Sequence, residues 1–322
     1  MERCADASLS EPLMAAYLAR RLAFSVFVLW GAVTIIFLVL RLVPGDPALL
    51  ILGSDATPDQ VAALRAQLGL DRPLLVQYGT YLADVARLDF GPSYRLSGDA
   101  LGLVVERLPA TTELAVVALS LSLLVGIPLG IVAALRVNTP TDRIVSVFSL
   151  VGQSTPSFWL GIVLILVLSR TFGLLPSAGT GSPAHMVLPA VTLALPFLAI
   201  LVRLTRSGLL EVIHEGYVQT ARAKGLTERV VIFPHAIRNA LIPIVTVVGI
   251  HFGQLLGTAV IVETVFAWPG IGRLLVDSIS HRDYGVVQAA VLMIATGFVL
   301  INLVVDVLYG YIDPRVRLAG RA

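Results

Sequence analysis

Lysine occurs once in this chain of 322 residues, at Lys224, and cysteine once, at Cys4. A lone cysteine forms no internal disulfide and builds no cysteine-based metal site, so nothing about the redox compartment follows from it. A lone lysine is more decisive. A phosphate-cradling loop of the form G-x-x-x-x-G-K-[ST] needs Lys followed by Ser or Thr, whereas Lys224 stands between Ala223 and Gly225. The chain therefore carries no standard ATP-hydrolysing loop of its own. Charge of either sign is scarce as well, at 14% of residues against roughly 25% in an ordinary soluble domain. Disorder is excluded, because a chain 57% hydrophobic with a mean hydropathy of +0.87 has little to keep it solvated. The net charge of +2 gives no electrostatic footprint for nucleic acid. An integral, all-α membrane protein is what remains.

A helix rises about 1.5 Å per residue, so roughly 20 apolar residues cross a hydrocarbon core of about 30 Å. Six stretches reach that length: Leu22 to Leu40, Leu114 to Leu135, Ile144 to Ser169, Met186 to Val202, Ala240 to Val262 and Val286 to Val305. The first is too long for a signal-peptide core and no small-x-small cleavage site follows it. Arginine and Lys224 gather before the first span, between the second and third, in 203–238 and after the last; the short opposite loops hold Arg170, Arg273 and Arg282. Cytoplasmic loops retain such residues, which predicts both termini inside. The long segment between the first two spans then falls outside. Within it Thr57 is a plausible N-cap, Pro58 suits a first turn and Gly69 a stop, predicting a small cap of short helices. Carboxylates Glu113, Glu263 and Asp306 fall near span ends, which argues against ion-driven carriers and proton relays. Inverted repeats are also missing, and no His-Glu-x-x-His or Gly-x-Ser-x-Gly motif supports a membrane enzyme.

The inside segment 203–239 is longer than a connector requires. Leu210, Ile213, Tyr217 and Ala221 recur at helical spacing, Gly225 offers a stop and Thr227 can cap a second helix from Glu228. Two readings stand side by side: an amphipathic pair lying on the bilayer, or a helix-turn-helix that docks a cytoplasmic protein. Here a resemblance becomes specific. Glu215-Gly-Tyr-Val-Gln-Thr-Ala-Arg-Ala-Lys-Gly225, continuing through His235-Ala-Ile-Arg-Asn-Ala-Leu-Ile-Pro243, resembles the EAA coupling loop of permeases from the dipeptide, oligopeptide and nickel ABC importer family. Val43-Pro-Gly-Asp-Pro47, Leu88-Asp-Phe-Gly-Pro-Ser93, Glu106-Arg-Leu-Pro-Ala-Thr111, Thr155-Pro-Ser-Phe158, Glu263-Thr-Val-Phe-Ala-Trp-Pro-Gly-Ile-Gly272, Arg282-Asp-Tyr284 and Asp313-Pro-Arg315 agree in order and spacing, so that the likeness runs from about Ala16 to Arg317. Gln219, Thr220 and Ala221 stand where the general pattern has Glu-Ala-Ala, and Arg238 where it has proline, departures like those of the peptide branch. The tail before Met14 has no counterpart.

The resemblance implies a type I ABC importer transmembrane fold of six helices with a small extracytoplasmic helical cap after the first. It divides the chain into a tail (1–15), a first transmembrane helix (16–42), the cap (43–110), a five-helix permease core (111–317) containing the coupling loop 203–239, and a C-terminal tail (318–322). It implies a transport subunit rather than an enzyme, in a bacterial plasma membrane, moving dipeptides or oligopeptides inward. Implied partners are a second homologous permease, one or two P-loop ATPase subunits, an extracytoplasmic solute-binding protein and membrane lipid, with no nucleic acid. ATP and Mg would bind those ATPase subunits, and this chain itself holds no cofactor or metal. Nickel chelates, peptide-linked sugars or glutathione-like solutes suit the same machine; a self-sufficient secondary carrier is the rival from another class.

For ATPase coupling the resemblance implies Glu215, Tyr217, Thr220, Ala221, Arg222, Ala223, Lys224 and Gly225, with Arg222 and Lys224 meeting acidic groups or simply remaining solvated inside. Within the membrane Gln153, Ser154 and Pro156 interrupt the third span, and His251 and Gln254 share a face by i,i+3 spacing. These five either line a translocation path or serve as a kink and interhelical hydrogen bonds. Asn302 and Asp306 suggest a structural network, and Gly126, Gly130 and Gly161 close helix approach. Asp46, Asp89, Trp268 and Asp283 are the candidates for meeting the binding protein, Trp268 having an interfacial anchor as its alternative.

Overall fold

The computed structural model describes residues 5–42, 47–52 and 56–312. Among the described residues fourteen helices run in the order α1 (Ala5–Leu42), α2 (Pro47–Leu52), α3 (Pro58–Gln67), α4 (Leu74–Ala86), α5 (Ala100–Leu135), α6 (Pro140–Ser154), α7 (Ser157–Leu164), α8 (Pro183–Ile213), α9 (Gly216–Ala223), α10 (Glu228–Val230), α11 (Arg238–Ala240), α12 (Ile242–Val265), α13 (Ile271–Ser280) and α14 (Tyr284–Ile312). Two π-helical turns interrupt the regular winding: Ile165–Thr171 continues α7 and Val231–Ile237 joins α10 to α11. No strand occurs among the described residues, where Pro92 and Asp99 form an isolated bridge.

Among the described residues five helices are long and apolar enough to cross a membrane, and a sixth crossing exists if the bent pair α6 and α7 counts as one. The apolar runs fall within these elements, but the third span is not straight. Its two halves turn by 107°. The cause is local: proline bars the helical region to the residue before it, and Thr155 sits at φ −83°, ψ 121°. α1 passes through the expected 15/16 boundary without a break.

The backbone forms two compact units, one from 1–109 with 271–322 and the other from 110–270; the chain passes between them within α5 and again before α13. In the first unit α4 lies on α1. Phe37 packs between Tyr78 and Tyr81 at centroid separations of 5.2 and 5.3 Å, and Thr34 Oγ1 shares a 2.6 Å hydrogen bond with the Tyr78 hydroxyl. Phe90, Val104, Ile271, Leu274 and Val286 fill the core. Helix α3 starts as its residues dictate: the Thr57 hydroxyl accepts from Gln60 N while Gln60 Oε1 accepts from Thr57 N, a reciprocal capping box, and Gly69 follows at φ +64°.

In the second unit α8 is the central element, packed by α6, α7 and α12. Leu114, Leu188, Leu193, Val262 and Phe266 make the largest buried cluster. α5 approaches α8 closely at Gly130, where a Cβ would meet Thr205 Cβ at 2.6 Å and the Val202 carbonyl at 2.7 Å. Gly126 and Gly161 are tight in the same way, each with 3.1 Å to its nearest neighbour, so all three glycines serve close approach.

Candidate functional site

The periodicity of Leu210, Ile213, Tyr217 and Ala221 predicts one helix; the structure breaks it. α8 ends at Ile213, and Glu215 takes an extended conformation at φ −66°, ψ 147° before α9 begins. The chain thus presents α9 as a separate eight-residue helix, held by one face. Val218 and Ala221 are buried against Leu209, Val231, Ala236 and Ala240. A larger residue than Ala221 would lift that face off its cluster. The opposite face, with Glu215, Gly216, Gln219, Thr220, Ala223 and Lys224, is exposed. Tyr217, 41% exposed, is steadied by its hydroxyl, which accepts from Asn239 Nδ2 at 2.8 Å.

Arg222 does not extend freely from this face. Its Nε donates to Glu228 Oε1 at 2.8 Å and Nη2 to Oε2 at 3.3 Å, closing the turn that Gly225 makes at φ +79°. An exposed pair of this kind contributes about 0–1 kcal/mol, enough to shape a loop but not to hold it alone. Among the described residues no ion pair engages Lys224. Thr227 occupies the N-cap position of α10 without a side-chain capping bond, and the expected second helix is only three residues long before the π-helical turn that contains Pro234.

Gln153, Ser154 and Pro156 are exposed at the α6–α7 bend. His251 lies elsewhere, on α12, stacked on Phe197 of α8 at 4.4 Å; Gln254 is exposed one turn on. No hydrogen bond joins the two groups among the described residues. Asn302 Nδ2 donates to the Phe298 carbonyl at 2.8 Å, while the Asp306 side chain lies outside the described residues.

Two of the four docking candidates turn inward. Trp268 is 4% exposed and its indole N–H donates to the Ala110 carbonyl at 2.9 Å, which makes it neither a docking surface nor an interfacial anchor. Asp283 is 3% exposed, accepts from the Ser93 hydroxyl, and stands immediately before α14. Asp89 is exposed and accepts from Gly91 N at 3.0 Å; Asp46 lies outside the described residues.

Sequence reasoning missed the constellation beneath Trp268. Glu263 is fully buried, accepting from Thr111 Oγ1 at 2.7 Å, and a Cβ on Gly270 would fall on its carboxylate. Ala110 and Thr111 of one motif thus meet Trp268 and Glu263 of the other in a buried junction. It also missed Asp142, 4% exposed, which takes a bidentate bond from Arg206 at 2.6 and 2.9 Å and a third from Asn138 N at 2.9 Å.

The model of the family described as binding-protein-dependent transport system inner membrane component matches residues 126–318, and the model of its N-terminal part matches 14–115. The dipeptide transport system permease protein DppB of Alkalihalophilus pseudofirmus is 40% identical over 94% of this chain and all of its own length. The glutathione transport system permease protein GsiC of Salmonella choleraesuis is 42% identical over 94% and 98%, and a probable peptide ABC transporter permease of Sinorhizobium fredii 43% over 94% and 100%. Among solved structures, a chain of the MetNI methionine ABC transporter in inward-facing form aligns with a TM-score of 0.51 at 22% identity, over 67% of this chain and 95% of that one.

Proposed function

This chain belongs to the family of binding-protein-dependent transport system inner membrane components, and from that premise we propose that it forms half of a peptide-conducting pore driven by separate ATPase subunits. It is a multi-pass membrane protein and a transport component. The observation that carries the peptide reading is end-to-end similarity: relatives named for dipeptide, glutathione and peptide transport share 40–43% identity along 94% of the chain. Glutathione is itself a short peptide, so one cargo chemistry covers all three.

In this reading a second homologous permease completes the pore, a solute-binding protein delivers cargo, and one or two P-loop subunits bind ATP and Mg. Both termini are cytoplasmic, which agrees with the arginine distribution when α6 and α7 count as one crossing. α9 is the coupling element, with Glu215, Tyr217, Thr220, Ala221, Arg222, Ala223, Lys224 and Gly225 as its residues. What supports this is its form: a short helix bounded by the break at Glu215 and the turn at Gly225, one face buried and one bare, is a lever that moves as a body. Ala221 seats it, the Arg222 to Glu228 pair shapes its exit, and Lys224 offers charge to an acidic partner. Gln153, Ser154 and Pro156 at the bend, with His251 and Gln254 on α12, are proposed for the path. Asp46 and Asp89 are retained for docking; Asp283 and Trp268 act behind that surface as supports.

The test is reconstitution. Full-length chain, purified from its native membranes with whatever subunits remain attached, is placed in proteoliposomes with binding protein, ATP and radiolabelled L-alanyl-L-alanine. Accumulation that requires ATP and a co-purified P-loop subunit is expected. Robust ATP hydrolysis without accumulation of dialanine or glutathione would remove peptides as cargo, and recovery of the chain without any ATPase from several detergents would remove the coupling reading.

A further inference from the structure

A concave site lies wholly within the unit formed by 1–109 and 271–322, at the end of α1. It is a cavity of about 410 Å3, walled by the α3–α4 connection, α4, the loop that follows it and Gln288 of α14. Small-molecule sites run from about 300 to 1,000 Å3. The lining carries both signs of charge: Arg41 and Arg72, Asp84 and Asp89. Among the described residues no ion pair joins either arginine to either aspartate.

The scaffold explains why these charges do not collapse on one another. Arg41 Nε donates to Gln77 Oε1 at 2.9 Å and its guanidinium lies over the Phe37 ring at 5.1 Å. Gln77 is fixed in turn, its Nε2 donating to the carbonyls of Leu70 at 3.2 Å and Arg72 at 2.8 Å. One edge of Arg41 is therefore anchored, while the terminal nitrogens of its fork keep donors for a guest. Asp89 spends one oxygen on Gly91 N and keeps the other. Tyr81, pushed up to about 12 by burial, and Tyr94, raised by burial and by the Asp283 carboxylate, both stay protonated and able to donate.

We propose that this cavity binds a zwitterion, its carboxylate or phosphate on Arg41 and Arg72 and its ammonium on Asp84 and Asp89. Charge-assisted hydrogen bonds to both ends satisfy at once two pairs of side chains that the fold keeps apart. That chemistry has two sources at this place. A short peptide or amino acid carries it in solution. The headgroup of phosphatidylethanolamine carries it at the boundary where Arg41 closes the apolar run Ala19–Leu42. The inference does not depend on which solute crosses the membrane.

The experiment uses the full-length chain in nanodiscs of phosphatidylglycerol, which has no ammonium, without ATP or binding protein. Equilibrium binding of radiolabelled L-alanyl-L-alanine is measured, and native mass spectrometry follows retention of added phosphatidylethanolamine. At least one of the two binds, and Arg72→Ala and Asp84→Ala each weaken that binding about tenfold or more, with unchanged elution and melting of the variants. N-acetylated dialanine, lacking the ammonium, binds wild type no better than dialanine binds Asp84→Ala. Dialanine retained without the lipid identifies a free zwitterion, and the reverse identifies a headgroup. Failure of both probes, or equal binding to wild type and to the Arg72→Ala, Asp84→Ala double variant, overturns the proposal. Because uptake is not read, loss of the peptide-transport reading leaves this result standing.

Discussion

Gly225 supports a graded prediction. It holds φ +79°, and nothing lies within 4 Å of the place where a Cβ would be, so space is not the constraint. For alanine the cost is the left-handed backbone alone, about 1–2 kcal/mol, a factor of roughly 5–30 in the population of the native turn. Asparagine visits this region readily and costs less. Proline fixes φ near about −65° and also removes the N–H that donates to the Arg222 carbonyl at 2.9 Å, for about 3 kcal/mol or more. The turn between α9 and α10 cannot survive that change. ATP-driven uptake in proteoliposomes should therefore fall in the order glycine, asparagine, alanine, proline, with Gly225→Pro inactive although normally inserted. Full uptake by Gly225→Pro would sink the lever. Asparagine and alanine as inactive as proline would refute the strain argument, showing instead that any side chain at this exposed position blocks a contact.

Three further expectations concern the scaffold. Gly270→Ala drives a methyl onto the Glu263 carboxylate and breaks its bond with Thr111, for a loss of about 3 kcal/mol; an unchanged melting temperature in detergent would contradict the buried junction. Asp142→Ala and Arg206→Ala should show a coupling energy of roughly 1–3 kcal/mol in a double-mutant cycle, below a fully buried pair because the Arg206 side chain is 29% exposed; additive effects would mean that the pair contributes nothing jointly. Thr57→Ala removes a capping box and should cost about 1 kcal/mol, read as faster hydrogen exchange over Pro58–Gln67, and identical protection in the variant would speak against the cap.

Much of the architecture was legible because its causes are local. Apolar length marked the spans, Thr57, Pro58 and Gly69 marked α3 and the end of its turn, and Pro156 marked the bend. The coupling segment was legible in its pattern but not in its break. Leu210 and Ile213 of α8 and Ala221 of α9 pack on the same cluster, so the helical spacing that they share with the exposed Tyr217 passes over the break at His214 and Glu215. The π-helical turn at Val231–Ile237 left no sign either, since five-residue bonding still alternates buried and exposed positions at nearly helical intervals.

Composition, apolar run length and the steric rules of proline and glycine thus determined that this is a multi-pass helical membrane protein, where its main spans lie and where several turns occur. These depend on neighbours a few residues apart. Tertiary structure alone decided which polar residues face inward. The Trp268 indole is satisfied by a carbonyl 158 positions away and one Asp283 oxygen accepts from a hydroxyl 190 positions away, while Arg41 on α1 and Asp84 on α4 come to line one cavity. Side chains of surface type become buried when a distant partner meets their hydrogen-bonding capacity, and no local pattern encodes that partner's position.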